Sequence, residues 1–560
     1  MITKYSKLIS AFCVICGFTS CNDMLDTVPQ GQFTVEQLDN QSIEGMIASA
    51  YAGLEAHFFG NNEAFAGPST NWIFDVRSDD AYKGGGGTGM EENIHLLEVS
   101  ELTSDNVSCL NKWQNNYYAI SRVHNAMVAL NNASSVSNAT QLMGELKTLR
   151  SWYYFDLIRI FNRIPYFTEN DDVNTKSNDE YSRDQIFTFI KQDLTEAIAM
   201  LPDTKSSVGR ITKTTAQAIL AKVCAFTSDW ASVKLYADAV IQSGQYSLYT
   251  NFGDLSKIDH NNGSESVFAL QCSTANDNAH INWSNLLNCT YSDGNLYGTG
   301  DDFFYGSQNL VNAFRTDANG LPYLDGTFND VNVDATYTGS VDPRLDFTVG
   351  RIGLPWRGYT YTAGWCRAYD VYGEFSNKKA WPAPGEALAA WPWGGNSLNY
   401  MFIRYADVLL LKAEALIETA TGTNAATDAG LVEARNLINQ VRQRAQNSVD
   451  GTYVPQDLDP SVADYYVNLY PVTDNLTWTK EYARRALRME RRLELALEGN
   501  RWFDLVRWGS DYLVKTMNTY MEQESKLRQY YSGRSVTASE IFLPIPLSEI
   551  DNSNGLYKQL

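Results

Sequence analysis

The sequence predicts a mostly α-helical protein in which amphipathic helices follow one another in series and are interrupted once by a long loop-rich insertion. Three observations predict it. Apolar residues recur at i, i+3, i+4 spacing over 41–57, 113–131, 141–161, 183–200, 212–227 and 229–242. Successive segments such as Ala216–Phe226 and Trp230–Ile241 are joined by little more than a Thr-Ser-Asp cap signal, which makes an antiparallel hairpin, and hairpins in series make a solenoid. The pattern lapses from about 245 to 400, where Gly, Asn, Asp, Thr and aromatics dominate, and returns at 404–420, 428–446 and 481–508.

Each element follows from its residues in chain order. Residues 1–20 carry Lys4 and Lys7, no acid, and the apolar stretch Leu8–Phe18, too short for the roughly 20 apolar residues of a membrane span, so they read as a secretory signal. Phe18-Thr19-Ser20-Cys21 resembles the lipobox of bacterial lipoproteins, in which the cysteine is acylated and becomes the new N-terminus. Residues 21–40 are polar and form a tether. The body, 41–560, reads as a single unit, because no Pro/Ser-rich or charged linker divides it. It comprises an N-terminal helical part (41–244), the insertion (245–400) and a C-terminal helical part (401–560). Within the insertion only Asn309–Arg315 keeps a helical period, and near the end Ile541–Pro546 is extended. The body retains Cys109, Cys224, Cys272, Cys289 and Cys366, an odd number without a C-x-x-C pair, so neither a disulfide framework nor structural zinc is expected.

Composition narrows the ligand. With 44 basic and 65 acidic residues the net charge is −21, which repels polyanions at long range, so nucleic acid is not an expected partner. Aromatics make up 12% of the chain, including 13 Trp and 33 Tyr, and these rings offer an apolar face with a polar edge. A neutral ligand bearing both kinds of surface fits that composition.

Motifs along the whole chain resemble those of the SusD/RagB-like outer-membrane nutrient-binding lipoproteins. After the Cys21 lipobox come Gly144-Glu145 with Arg150-Ser151-Trp152-Tyr153-Tyr154-Phe155-Asp156-Leu157-Ile158-Arg159, Asp193-Leu194 through Leu201-Pro202, and Gly209-Arg210-Ile211-Thr212-Lys213. Later blocks are Asp342-Pro343-Arg344-Leu345, Arg404-Tyr405-Ala406-Asp407-Val408-Leu409-Leu410, Glu490-Arg491-Arg492-Leu493-Glu494-Leu495, Glu498-Gly499-Asn500-Arg501-Trp502-Phe503-Asp504-Leu505-Val506-Arg507-Trp508 and Leu543-Pro544-Ile545-Pro546. The resemblance implies a scaffold of four tetratricopeptide-like helix pairs under a loop-rich ligand face. It also implies a lipid anchor in the outer membrane facing the cell exterior, capture of a polysaccharide or oligosaccharide, delivery to a SusC-like TonB-dependent transporter, and no catalysis. Two other readings stay open: a surface-anchored glycoside hydrolase, which needs two carboxylates about 5–10 Å apart, and a structural transporter lid without a ligand site of its own.

Glu494 and Glu498 share a helix face, as an acid/base pair would, but arginines beside them make ion pairing the expected role. Gly84–Gly89 satisfies G-x-G-x-x-G in a polar loop, without the preceding strand a dinucleotide site needs. No metalloprotease, serine-hydrolase or Walker signature occurs, and the five histidines are scattered. No cofactor is expected; calcium is considered only for the acidic loop Asp325–Asp334, which lacks EF-hand spacing. Sugar rings stack on aromatic faces and hydrogen-bond to planar polar groups. Trp72, Arg77 and Asp79 supply such a set. In the insertion, Trp283, Tyr291, Tyr297 and Trp365 sit in polar loop surroundings, where backbone is normally at the surface. The predicted platform is therefore Trp72, Trp283 and Tyr297, supported by Tyr291 and Trp365. Trp381-Pro382 and Trp391-Pro392-Trp393 read as rigid packing, and Trp152, Trp230, Trp502 and Trp508 as core.

Overall fold

The computed structural model describes residues 40–55, 68–133, 135–291, 296–449 and 451–559. The signal, the Cys21 lipobox and all but the last residue of the tether lie outside the described residues. The protein is mostly helical, and its longer helices form one continuous array. We label α1 Asn40–Ala52, α2 Trp72–Val76, α3 Val107–Asn132, α4 Ala139–Ile160, α5 Arg183–Met200, α6 Lys213–Phe226 and α7 Trp230–Gln242. After the insertion come α8 Tyr405–Thr419, α9 Ala429–Asn447, α10 Lys480–Glu494, α11 Arg501–Arg507 and α12 Ser510–Glu524.

Polar caps start these helices where the sequence supplies them. Ser182 and Gln185 form a reciprocal capping box on α5, while Thr212, Asp229, Asp428 and Thr479 accept from backbone N–H groups at the starts of α6, α7, α9 and α10. Helix α3 packs on α1, each helix from α4 to α7 packs on its predecessor, and α7 packs on α8 although the whole insertion lies between them. The apolar stripe Val233, Ala237 and Val240 of α7 is buried. Among the described residues all five body cysteines are free thiols, four of them buried, and no helix is long and apolar enough to cross a membrane.

Two small antiparallel sheets fasten the insertion down. Strand β2 (Ser266–Leu270) pairs with β4 (Tyr400–Arg404), which closes the base of the insertion immediately before α8. Strand β1 (Ala81–Gly84) pairs with β3 (Phe303–Gly306), with Ala81 opposite Gly306.

One predicted helix is two. The period over 481–508 continues on paper, but the chain breaks after Glu494, with Leu497 at φ 57° and Gly499 at φ 75°, and α11 restarts at Arg501. A left-handed leucine is unfavourable on its own. It is held because the N–H groups of Gly499 and Arg501 donate to the buried Asp75 carboxylate at 2.6 and 3.1 Å. Periodicity cannot register a partner so distant in sequence. Helix α12 was not anticipated, yet its buried Leu513, Met517, Tyr520 and Met521 carry a helical period.

The C-terminal helices enclose a buried ionic hub. Arg404 closes β4 and donates to Glu265 at 2.8 Å and bidentately to Glu498 at 2.9 Å, and it also pairs with Glu494. Arg344 binds Asp342, Glu490 and Glu494 at 2.7–3.0 Å, and Arg444 binds Glu265 at 3.1 Å and Glu494. Burial alone raises a carboxyl's pKa, but the guanidinium groups of Arg444, Arg404 and Arg344 prevail and hold Glu494 well below the usual range.

Candidate ligand-binding face

The aromatics chosen from sequence are mostly underneath the face rather than on it. Trp283 is 4% exposed and Tyr297 0%. Trp283 donates its indole N–H to the Ala279 carbonyl at 3.0 Å, and Tyr297 donates to the Pro382 carbonyl at 2.7 Å while accepting from Trp356 at 3.0 Å. Trp365 is buried against Trp356 and Tyr361, with ring centroids 5.5 and 5.4 Å away. Tyr297, Trp356, Tyr361 and Trp365 build, with Trp381, Cys289 and Cys366, a core belonging to the insertion itself, and Trp283 packs separately with Ile281 and Leu286. The sequence argument failed here because an insertion this long can bury its own apolar side chains, so polar neighbours no longer imply a surface position.

The N-terminal set is buried as well. Trp72 lies in α2, tilted against Phe304 at 5.4 Å. Arg77 stacks 4.1 Å over Trp502 and donates to the carbonyls of Ile541 and Glu540. Asp79 accepts bidentately from Arg501 at 2.7 and 2.8 Å and pairs with Arg492. These residues join the chain's two ends. Trp72, Asn282, Asn285 and Tyr400 line a cleft of about 70 Å³, room for waters but not for a sugar ring. Trp152 and Trp502 are core, as expected, while Trp230 and Trp508 are half-buried.

The exposed aromatic surface lies where packing had been expected. Trp391 is 50% exposed and Trp393 38%, their rings 5.3 Å apart at 83°. Tyr291, 39% exposed, is the one sequence-chosen aromatic at the surface, and it carries the Arg367 guanidinium 5.6 Å over its ring. Two glycines let this surface form. Gly394, at φ 72°, brings its turn so close to the buried floor that a Cβ would lie 2.7 Å from Cys289 Sγ and 2.8 Å from the Trp381 ring. Gly298, at φ 84°, lies flush against Trp393, and a Cβ there would strike the indole. Tyr291 bridges to Thr299, one residue beyond Gly298, so its backbone runs beside the segment that lies against Trp393.

Polar groups border that patch. Arg367 pairs with Asp301, and its backbone N–H donates to Asp302 at 2.8 Å. Asp302 also accepts from Ser376 at 2.9 Å, and burial pushes its carboxyl up to about 7. An exposed indole pair can stack a pyranose ring, and a guanidinium and carboxylate such as those beside Tyr291 can hydrogen-bond its hydroxyls. The signal that could have located it is the Trp-Pro-Trp run beside Gly394-Gly395, since a turn too tight to fold inward presents its side chains outward.

The other candidates resolve into structure. Glu494 and Glu498 are hub members, with Lys379 donating to the Glu494 carbonyl at 2.9 Å and pairing with Glu498. Their partners are Arg344, Arg404, Arg444 and Lys379 rather than their helix neighbours Arg491, Arg492 and Arg501. In the acidic loop, Asp325 and Asp334 each accept from a threonine two residues on. Among the described residues no group of three or more His, Cys, Asp or Glu could hold a metal.

Comparison with known proteins places this architecture. Residues 264–560 match the family model described as the SusD family, and residues 31–224 match one described as starch-binding associating with outer membrane. A SusD-like protein of Bacteroides ovatus is 23% identical, across 97% of this chain and 96% of that one, and SusD-like protein P38 of Formosa agariphila is 23% identical, across 90% and 92%. Among solved structures, a SusD-like carbohydrate-binding protein from Bacteroides fragilis superposes with a TM-score of 0.72 at 21% identity, over 93% of this chain and 98% of that one. Surface glycan-binding protein A from Bacteroides thetaiotaomicron, solved with laminarihexaose, gives 0.66 at 20% identity, over 93% and 99%. The matched family model spans more than half of the chain and the helical array agrees in fold, so this protein belongs to the SusD family.

Proposed function

We infer that this protein is an outer-membrane lipoprotein that binds a neutral oligosaccharide or polysaccharide at the cell surface, on the Trp391–Trp393–Tyr291 patch, and passes it unaltered to a SusC-like TonB-dependent transporter. The observation that carries the reading is the pair of adjacent, half-exposed indoles raised on a buried aromatic floor. Exposed tryptophans in contact are costly to leave in water and mark binding surfaces. The net charge of −21 favours an uncharged ligand, and the fold is shared with a protein solved with laminarihexaose.

Binding without hydrolysis is supported at the carboxylate pair that the sequence singles out. Glu494 and Glu498, the pair most suggestive of acid/base chemistry, are clamped as anions by arginines and Lys379, so neither can donate a proton to a glycosidic oxygen. Anchoring rests on Cys21, where acyl chains would supply about 0.8 kcal/mol per buried CH₂.

The test is calorimetry and affinity electrophoresis with a panel of neutral glycans that includes laminarihexaose, alongside an assay for new reducing ends. Saturable binding without new ends supports capture. New ends would establish a hydrolase, and no binding across the panel would leave the transporter lid. Fractionating cells that express Cys21→Ala tests the anchor, and release of the variant from membranes is expected.

A further inference from the structure

Arginines of this acidic protein gather in a cleft distant in sequence from the aromatic face. Arg484, Arg485, Arg488 and Arg492 recur along α10 at spacings that place neighbouring turns on one side of a helix. With Arg501 of α11 and Tyr512 of α12 they line a cleft of about 370 Å³, walled on the far side by the loop Leu324–Phe328. The volume lies in the range of small-molecule sites.

Three of the five arginines have carboxylate partners. Arg484 binds Glu418 bidentately at 2.6 and 2.7 Å, Arg492 binds Asp80 at 2.6 Å, and Arg501 binds Asp79. Among the described residues, Arg485 and Arg488 have no carboxylate within ion-pair distance. Arg488 is held between two rings, its guanidinium 4.8 Å from Trp508 and 4.2 Å from Tyr512, and its Nε is buried without a hydrogen-bond partner. Tyr512 also hydrogen-bonds this partly buried guanidinium and Glu414 acts on it from further off, but burial still works against its charge, so a bound anion in direct contact would stabilise it. Other charges face the cleft too: Glu481 lies on its rim one turn before Arg485, and Asp325 on the loop acts on Arg485 from across it. Both are exposed, so solvent screens them more than it screens Arg488.

We propose that this cleft binds a small anionic ligand, a sulfate or phosphate ester on a body about the size of one sugar ring, with Arg485 and Arg488 clasping the oxyanion and Tyr512 and Phe328 flanking the body. Arginine forks match oxyanion geometry bidentately, and aromatic walls suit the ring that carries the ester. The site stands on its own observations and does not depend on the Trp391–Trp393 patch.

Calorimetric titration with glucose 6-sulfate, glucose 6-phosphate and unmodified glucose tests it. The two esters are expected to bind saturably, with affinity falling as salt rises, and glucose is expected not to bind here. Arg485→Gln/Arg488→Gln should weaken ester binding by about tenfold or more. Because Arg488 packs on two rings, the exposed Arg485→Glu variant is measured alongside, its melting curve confirming the fold, and it should also weaken binding. A Trp391→Ala/Trp393→Ala variant should bind the esters as before, which separates failure of this site from failure of the glycan face. No saturable binding of either ester up to about 10 mM, or undiminished binding in Arg485→Glu, would overturn the proposal.

Discussion

The hub around Glu494 and the patch around Trp391 show opposite uses of costly groups. In the hub, charges that are expensive to bury are buried completely and matched by partners drawn from distant parts of the chain. On the patch, rings that are expensive to expose are left in water above a floor of other rings. The first arrangement fixes which helices meet, and the second leaves surface free for a ligand. Residue type alone does not separate structure from function in this protein; what separates them is how far each costly group is exposed to water.

Removing one hub partner gives the largest effect expected from this contrast. Glu494→Ala should destabilise the fold by about 3–5 kcal/mol, because Arg344, Arg404 and Arg444 are left buried with too little opposing charge. Denaturant midpoints measure it, and a loss under about 1 kcal/mol would mean that water reaches the hub. Trp365→Ala should cost a comparable 3–5 kcal/mol through the cavity it leaves in the insertion's core, and it should weaken glycan binding only as far as the floor sags. A melting curve and a binding isotherm on the same sample separate the two effects.

Trp391→Ala should do the reverse, lowering glycan affinity by about 2 kcal/mol, roughly thirtyfold, with the melting curve unchanged. Normal affinity in that variant would move the site off the patch. The smallest effect is the acid response of the charge network. Burial works against ionisation of Asp457, but Arg357 and Lys378 prevail and bring its carboxyl down to about 2. Since this folded value is depressed, the contribution, about 2 kcal/mol, is present above pH 4 and is lost as pH falls from about 4 to 2. Asp457→Asn should flatten the stability profile in that window, read by urea titrations at successive pH values.

Much of the scaffold was legible because an amphipathic helix announces itself locally. Helices α5, α6 and α7 fall within a residue or so of their apolar periods, with caps at the positions the sequence offers. The break between α10 and α11 was not legible, since it depends on Asp75 arriving from the far end of the chain. The address of the candidate site was not legible, since most of the rings chosen for it are buried. Aromatic content and the lack of catalytic motifs pointed to a stacking surface in the insertion, yet Tyr297, in the polar run 292–300, is buried, while Trp393, after the apolar run 387–392, faces water. Only the close approaches at Gly298 and Gly394 decide which ring faces water.

The contact of α7 with α8 across the insertion also sets an order of events. The hairpins up to α7 can form from neighbouring segments, but the face of α7 that packs on α8 must wait for α8, about 160 residues later. At about 5–20 residues per second that interval is roughly 10–30 s of emergence, during which the array ends in an open apolar edge. Folding is therefore gated by arrival of the second half, and the stage most exposed to misassembly is the one in which the insertion has emerged and α8 has not.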